Sequence, residues 1–412
     1  MRAAHQVEAP AARRLAAFAA LRHRNFRLFW IGYLIAVFGQ NIEIVAQGWL
    51  MYDLTNSPLF LGLAGASNAV PQIALSFFGG AIADRVDRRR LLLFAQAILM
   101  SISLVLGLLV VSGLAEPWHV LVAAFLSGTV RAFDGPTRQA IFPHLVDRQD
   151  MLNAVALNSV HWQFGRVAGP PVAGVAIAAL GVGACFFLTA IGYAGMCWSV
   201  YLLRVPAVTA SAGGILEAIR EGLLFIARQP IFRSLMGMTF FNSVFGISYS
   251  YMLPIFARDL LQAGPQGYGL LQGAGGLGAL AGTFYLSFGG PLGRKGTTLL
   301  TGGAIFGALL MLFAWSPWFP VSLVLLFVAG LANMLYQTLT NTVVQLEVPD
   351  ELRGRVMGIY QLTWSLLPLG GMVQGAVATL TSAPVAVTAG GALVLGLALL
   401  LGVTAPFLRR LT

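Results

Sequence analysis

The chain has 412 residues, 58% of them hydrophobic and 10% charged, with a formal net charge of +10 and a mean hydropathy of +0.79. Soluble domains carry about a quarter charged residues, so this composition describes an integral membrane protein and excludes a soluble multidomain enzyme. The basic excess does not describe a nucleic-acid binder either, because 22 of the 25 Lys and Arg fall in alternate connections or at the chain ends.

Residues 1–25 are Arg-rich with Ala, Phe and Leu between. They hold no sustained apolar core before a small-residue cleavage site, which predicts an amphipathic cytoplasmic lead-in rather than a signal peptide. A bilayer crossing needs about 20 apolar residues. Such stretches occur near 26–52, 58–83, 91–112, 118–140, 152–179, 183–203, 232–257, 266–290, 297–315, 318–341, 355–380 and 385–408. Twelve crossings return the chain to the side on which it began. The connections near Asn56, Glu116, Gly181, Ala263, Pro317 and Ala383 hold one cation, Arg258, whereas the alternate connections hold the rest of the loop charge. By the positive-inside rule both termini are cytoplasmic.

The long inner connection 204–231 contains ILEAIREGLLFIARQP at 215–230, an amphipathic pattern suited to lying on the membrane surface. It divides an all-α membrane protein into two six-helix bundles, 26–203 and 232–408, followed by a short cytoplasmic tail at 409–412. The halves repeat each other. Residues 144–162 read HLVDRQDMLNAVALNSVHW and residues 346–364 read LEVPDELRGRVMGIYQLTW, at a constant offset that also maps Gly169 onto Gly371. Parallel six-helix repeats mark one class of transporter. Cys185 and Cys197 are twelve residues apart on one expected helix, about 18 Å of rise, too far for a disulfide, and read as packing residues.

Ionisable groups at membrane depth are costly and are functional candidates by default. Here they are Glu43, Arg131, Asp134 and Arg166, all in the first half. Glu43 and Asp134 are the candidate proton carriers, with Arg131 and Arg166 as counter-charges. Depth along the helices allows a Glu43–Arg166 pair, and a static pair that fixes helix packing is the competing role. Asn41, His161, Asn242, Tyr249, Asn333, Tyr336, Gln337 and Trp364 supply amide, imidazole and aromatic groups suited to an amphipathic ligand, though interfacial anchoring also uses aromatics. GAGGLG at 273–278 lies inside an apolar helix instead of a strand-to-helix turn, and GRKGTT at 293–298 has Gly between Lys and Thr. Neither is a nucleotide loop. No metal site or cofactor is expected, and energy must come from an ion or cargo gradient.

Residues 80–90, GAIADRVDRRR, place six charges between two apolar stretches. With VAQGWLMYDLTNSPLFLGL at 45–63 and VPDELRGRVMG at 348–358, this loop resembles the major facilitator superfamily, in its enterobactin-exporter-like efflux branch, over nearly the whole chain. Gly80, Asp84, Arg85, Arg88 and Arg89 match the family loop, while Asp87 stands where glycine is usual. The resemblance implies that Asp84 faces the start of the eleventh helix, near Arg353 and Arg355, and latches the halves on the cytoplasmic side. Arg89 and Arg90 are expected as topological anchors. The second-half counterpart, GGPLGRKG at 289–296, lacks the acid.

GRVAGPPVAG at 165–174 resembles the family's antiporter signature, which implies a hinge at Gly165, Gly169, Pro170 and Gly174. The function implied is export of small amphipathic molecules across a bacterial inner membrane by a monomer that uses proton antiport. A siderophore or lysophospholipid carrier is the alternative within transport, and a receptor or scaffold with the same fold is the alternative outside it.

Overall fold

A computed structural model of the chain describes residues 18–83, 86–203, 223–288 and 295–409. Helices occupy every apolar stretch: α1 (Arg24–Thr55), α2 (Pro58–Ala83), α3 (Arg88–Val111), α4 (Pro117–Ile141), α5 (Met151–Leu180), α6 (Val182–Tyr201), α7 (Pro230–Phe241), α8 (Gly264–Phe288), α9 (Lys295–Ala314), α10 (Phe319–Glu347), α11 (Asp350–Ser365), α12 (Leu367–Leu380) and α13 (Ala383–Thr404). Among the described residues, eight helices are long and apolar enough to cross a membrane, with α11 and α12 acting together as one. The helices outside that set are α4, α5, α7 and α8, and the sequence supplies the reasons. α4 and α5 carry charges, α7 is interrupted, and α8 contains eight glycines.

The turns follow from local chemistry. Asn56 ends α1 in the left-handed region at φ 49°, a conformation Asn tolerates, and Pro58 opens α2 two residues later. Asp87 caps α3 by accepting the Arg90 N–H at 3.0 Å. The lead-in is tied down where it is described: the Ala20 N–H donates to Asn153 Oδ1 at 2.9 Å, and His23 meets Asp150 at 2.8 Å. Of the amphipathic stretch at 215–230, residues 223–228 are helical, with Ile226 buried and Leu223 and Leu224 exposed. Its remainder up to 222, and 289–294 of the second charged loop, lie outside the described residues.

Two stretches depart from the single helices expected. The seventh is α-helical to Phe241, then passes through a π turn (Asn242–Gly246), a 3₁₀ stretch (Ile247–Met252) and a second π turn (Phe256–Leu260). The eleventh breaks at Leu366, where Pro368 cannot donate to the preceding turn.

In the first half α1 packs on α5 and α6, α2 on α4, and α3 on α4 and α6. In the second half α8 packs on α10, and α9 on α10 and α13. Two seams join the halves, α5 against α8 and α2 against α12. Both depend on absent side chains: a Cβ on Gly269 would stand 2.3 Å from the Pro170 carbonyl oxygen, and one on Gly62 would stand 2.5 Å from Met372 Cα. Small residues let membrane helices approach to this distance.

The apolar core shows where the halves meet. Toward the end that bears the Asn56 and Thr381 turns, Ile42, Leu61, Leu106, Phe256, Phe306 and Leu326 belong to one cluster that draws on both halves. Toward the end that bears the charged connections the core divides. Phe26, Leu92 and Leu157 belong to one cluster, and Phe232, Leu299 and Val356 to another. At the joined end a polar clasp adds to the contact: the Tyr52 hydroxyl donates to Asp259, and Arg258 lies 3.4 Å from Asp53.

The tightest approach within the first half is testable. A Cβ on Gly128 of α4 would stand 1.9 Å from the Asn68 carbonyl oxygen of α2. Gly128→Val is expected to destabilise the protein by about 1–3 kcal/mol or more through overpacking. Gly396→Ala, where an added Cβ meets nothing within 4 Å, should leave the thermal unfolding midpoint in detergent unchanged.

Candidate functional site: buried charge pairs beside a basic cavity

Arg131, Asp134 and Arg138 of α4 stand at i, i+3 and i+7, so one helix face presents all three. Arg131 Nη2 donates to Glu43 Oε2 of α1 at 3.0 Å and to the Tyr193 hydroxyl of α6 at 2.9 Å. That hydroxyl donates in turn to the same carboxylate oxygen at 2.9 Å, and Gln47 Nε2 reaches Glu43 Oε1 at 3.3 Å. Glu43 is 2% exposed. One turn and a half farther along α4, Arg138 Nη2 lies 2.6 Å from Asp134 Oδ2, while Gln96 Nε2 of α3 donates to Oδ1 at 2.7 Å. The Arg138 guanidinium rests on the Tyr33 ring at 4.3 Å.

Glu43 therefore has one guanidinium and two neutral donors, and Asp134 has one guanidinium and one neutral donor. The neutral donors matter because a buried ion pair stabilises only when hydrogen bonds also serve its remaining lone pairs.

A cavity of about 1070 Å³ lies between α2, α5, α11 and α12. Gln72, Trp162, Gln163, Arg166, Arg355 and Trp364 are among its lining residues. Its α2 and α11 residues place it toward the end where the core divides. Trp162 and Trp364, the equivalent tryptophans of the sequence repeat, face this one space from opposite halves.

A model of the family described as "transmembrane secretion effector" matches residues 15–410, and together with the fold and the loop motifs it places that family within the major facilitator superfamily. The chain belongs to it. Among curated relatives of this transporter, the multidrug efflux pump Tap of Mycolicibacterium fortuitum is 28% identical, covering 92% of this chain and 94% of the relative. The staphyloferrin A transporter of Staphylococcus aureus is 25% identical, covering 84% and 88%. A solved structure of a bacterial homologue of the human lysosomal transporter Spinster, inward-facing and unoccupied, superposes with a TM-score of 0.70 at 16% identity, over 94% of this chain and 96% of that one. That likeness shows a shared fold.

Several expected residues of this secretion-effector chain take other positions. Glu43 pairs with Arg131 and not with Arg166, because Tyr193 of α6 fixes the guanidinium against it. Arg138, one of the 22 cations counted in connections or at the chain ends, lies inside α4 as the partner of Asp134. Of the expected cavity residues, Trp364 lines the space. His161 is buried with Nε2 3.0 Å from the Trp30 carbonyl oxygen. Asn242 donates to Asn333 at 3.1 Å, both buried, and Tyr336 is a core residue. Asn41 donates to the Val37 carbonyl at 2.8 Å, and Gln337 is half-buried. Tyr249 packs edge-on to Phe313.

The residues of the expected hinge pack on two sides. A Cβ on Gly165 or Gly169 would stand 2.7 Å from Asn41 of α1, while Gly174 faces Pro265 and Gln266 of α8. Pro170 and Pro171 lie inside a helix that continues through them.

Asp84 and Arg85 lie outside the described residues, and Gly80 falls in the last turn of α2. The described arginines of the charged loop have defined partners. Arg88 Nη1 donates to the Ala140 carbonyl at 3.2 Å, and Arg89 donates to the carbonyls of Val200, at 3.1 Å, and Tyr201. Arg353 Nε donates to the Gln345 carbonyl at 3.2 Å. These acceptors sit at the C-terminal ends of α4, α6 and α10, where carbonyls lack helical partners and the dipole favours a cation. Arg89, expected as an anchor, is a helix cap, and Arg90 is an exposed neighbour 3.8 Å from Asp87.

Tyr193, Gln96, Gln47 and Arg138 are the site residues that sequence reasoning missed. Gln47 was within reach, one turn from Glu43 on the same helix. Nothing in sequence spacing relates Tyr193 or Gln96 to α4. Glu43→Ala should destabilise the protein by about 3–5 kcal/mol, because it leaves the Arg131 charge buried and unpaired. The Glu43→Ala/Arg131→Met double variant should recover most of that loss in thermal unfolding in detergent.

Proposed function

We propose that this chain is a secondary active exporter of small amphipathic molecules in a bacterial inner membrane. It works as a monomer by alternating access and exchanges cargo for protons. In this reading twelve spans form two six-helix bundles, 26–203 and 232–408, joined by the cytoplasmic connection 204–231, with both termini in the cytoplasm. The observation that carries the proton assignment is the closed set of hydrogen bonds among Glu43, Arg131 and Tyr193. It joins three helices of one half through a single titratable acid.

The joined core at one end and the divided core at the other support an inward-facing resting state. The 1070 Å³ cavity is then the cargo chamber, open to the cytoplasm. Protonation of Glu43 from the outer side would loosen α1, α4 and α6 from one another, and its loss to the cytoplasm would restore them. Asp134 with Arg138 is a second pair of the same kind, nearer the cytoplasmic end of α4. Asp84 is assigned the cytoplasmic latch on its sequence position alone. Efflux relatives such as the multidrug pump Tap support the outward direction of transport.

Inverted membrane vesicles supply the test, with labelled taurocholate and tetraphenylphosphonium as probe cargoes. Wild-type vesicles should accumulate at least one probe when the interior is acidic, and collapsing the pH gradient should abolish accumulation. Glu43→Gln should lower gradient-driven uptake at least tenfold, and Asp134→Asn should lower it less. Uptake indifferent to both substitutions and to the gradient would refute the proton assignment.

A further inference from the structure

Arg166 has the property that the other charges inside the membrane lack. It stands 15 residues past Met151 in α5, about 22 Å along the helix, well inside the bilayer by any placement of the ends. Among the described residues it has no hydrogen-bond or ion-pair partner, whereas Glu43, Arg131, Asp134 and Arg138 are all paired. It is exposed, and the space it is exposed to is the cavity. Its backbone is pinned: a Cβ on Gly276 of α8 would stand 2.8 Å from the Arg166 carbonyl oxygen.

An arginine at that depth with a neutral tyrosine, Tyr249, beside it and no acid among the described residues costs several kcal/mol. The rest of the lining says what it waits for. No carboxylate occurs among the described lining residues, and a second arginine, Arg355, joins the wall from α11. Trp162 and Trp364 give flat apolar surfaces, and Gln72 and Gln163 give neutral donors. Gly354 and Gly358 leave the wall open, since a Cβ at either meets nothing within 4 Å.

We infer that the chamber binds amphipathic anions, molecules with a carboxylate, sulfonate or phosphate head on an apolar body, and that Arg166 is the residue that selects the head. The fork of a guanidinium matches such oxyanions with paired hydrogen bonds, and an ammonium does not. The inference rests on the reading of this cavity as the cargo chamber. It gives Arg166 the role of cargo receptor in place of the counter-charge to Glu43 expected from depth alone. Organic cations, the other chemical class that efflux transporters could carry, meet two arginines and no acid among the described residues of this chamber.

Equilibrium binding of labelled taurocholate to the purified full chain in phosphatidylcholine nanodiscs tests the assignment without requiring transport. Taurocholate should bind the wild type more tightly than tetraphenylphosphonium does. Arg166→Gln should weaken taurocholate at least tenfold and leave tetraphenylphosphonium unchanged or improved, and Arg166→Lys should fall between the wild type and Arg166→Gln. Repeating the titration with phosphatidylglycerol in the disc separates the two sources of such a head. Weakened taurocholate binding identifies an anionic lipid as the occupant, and unchanged binding identifies a free amphiphile. No taurocholate binding by the wild type, tighter binding of the cation, or indifference of taurocholate to Arg166→Gln would overturn the assignment. Taurocholate bound in this way but carried by no vesicle would refute the exporter reading and leave the anion site standing.

Discussion

A charge inside a bilayer must find a partner or water, and this constraint sorts the first half of the molecule. Glu43 and Asp134 find guanidiniums, and each guanidinium is held by a tyrosine as well, Arg131 by the Tyr193 hydroxyl and Arg138 by the Tyr33 ring. Arg166 finds the cavity instead. The helices that carry Arg131, Asp134, Arg138 and Arg166, α4 and α5, fall outside the spans set by length and hydropathy. Their neighbours must shield them, and the long apolar helices α1, α2, α3 and α6 pack around them.

The same constraint explains the seams. Between membrane helices there is little hydrophobic gain from association, so contact must come from close backbone approach. Glycine and proline line both seams, Gly269 against Pro170 and Gly375 against Pro58. The seams unite the core at one end and leave it divided at the other. The division leaves room for the cavity, and the cavity exposes Arg166. Packing at one end and chemistry at the other are two results of one arrangement of helices.

The helices were legible in the sequence because the bilayer demands long apolar runs, and Pro58 and Ala83 bound α2 as the hydropathy pattern placed them. The repeat was legible too, and its two tryptophans meet in one cavity. What the sequence could not give was pairing across helices. Depth along α1 and α5 made Arg166 a geometrically fair partner for Glu43, but depth carries no information about azimuth, and Tyr193 decides the question from α6. The interruption after Phe241 was hidden for a related reason, since π and 3₁₀ turns keep the hydrophobic composition of an α-helix and alter only its hydrogen bonding. The arginines of the charged loop looked like topology alone. Arg88 and Arg89 also close the ends of α4 and α6, and only the contacts of those carbonyls show it.

The central proposal is that one buried acid, Glu43, takes up and releases a proton and that its protonation frees Arg131 and Tyr193. Infrared titration of the protein in nanodiscs measures this without any cargo. Acidification should produce a protonated-carboxyl absorption in the wild type, and Glu43→Gln should remove a distinct part of it that Asp134→Asn leaves intact. An acid-induced carboxyl absorption identical in the wild type and in Glu43→Gln would contradict the account.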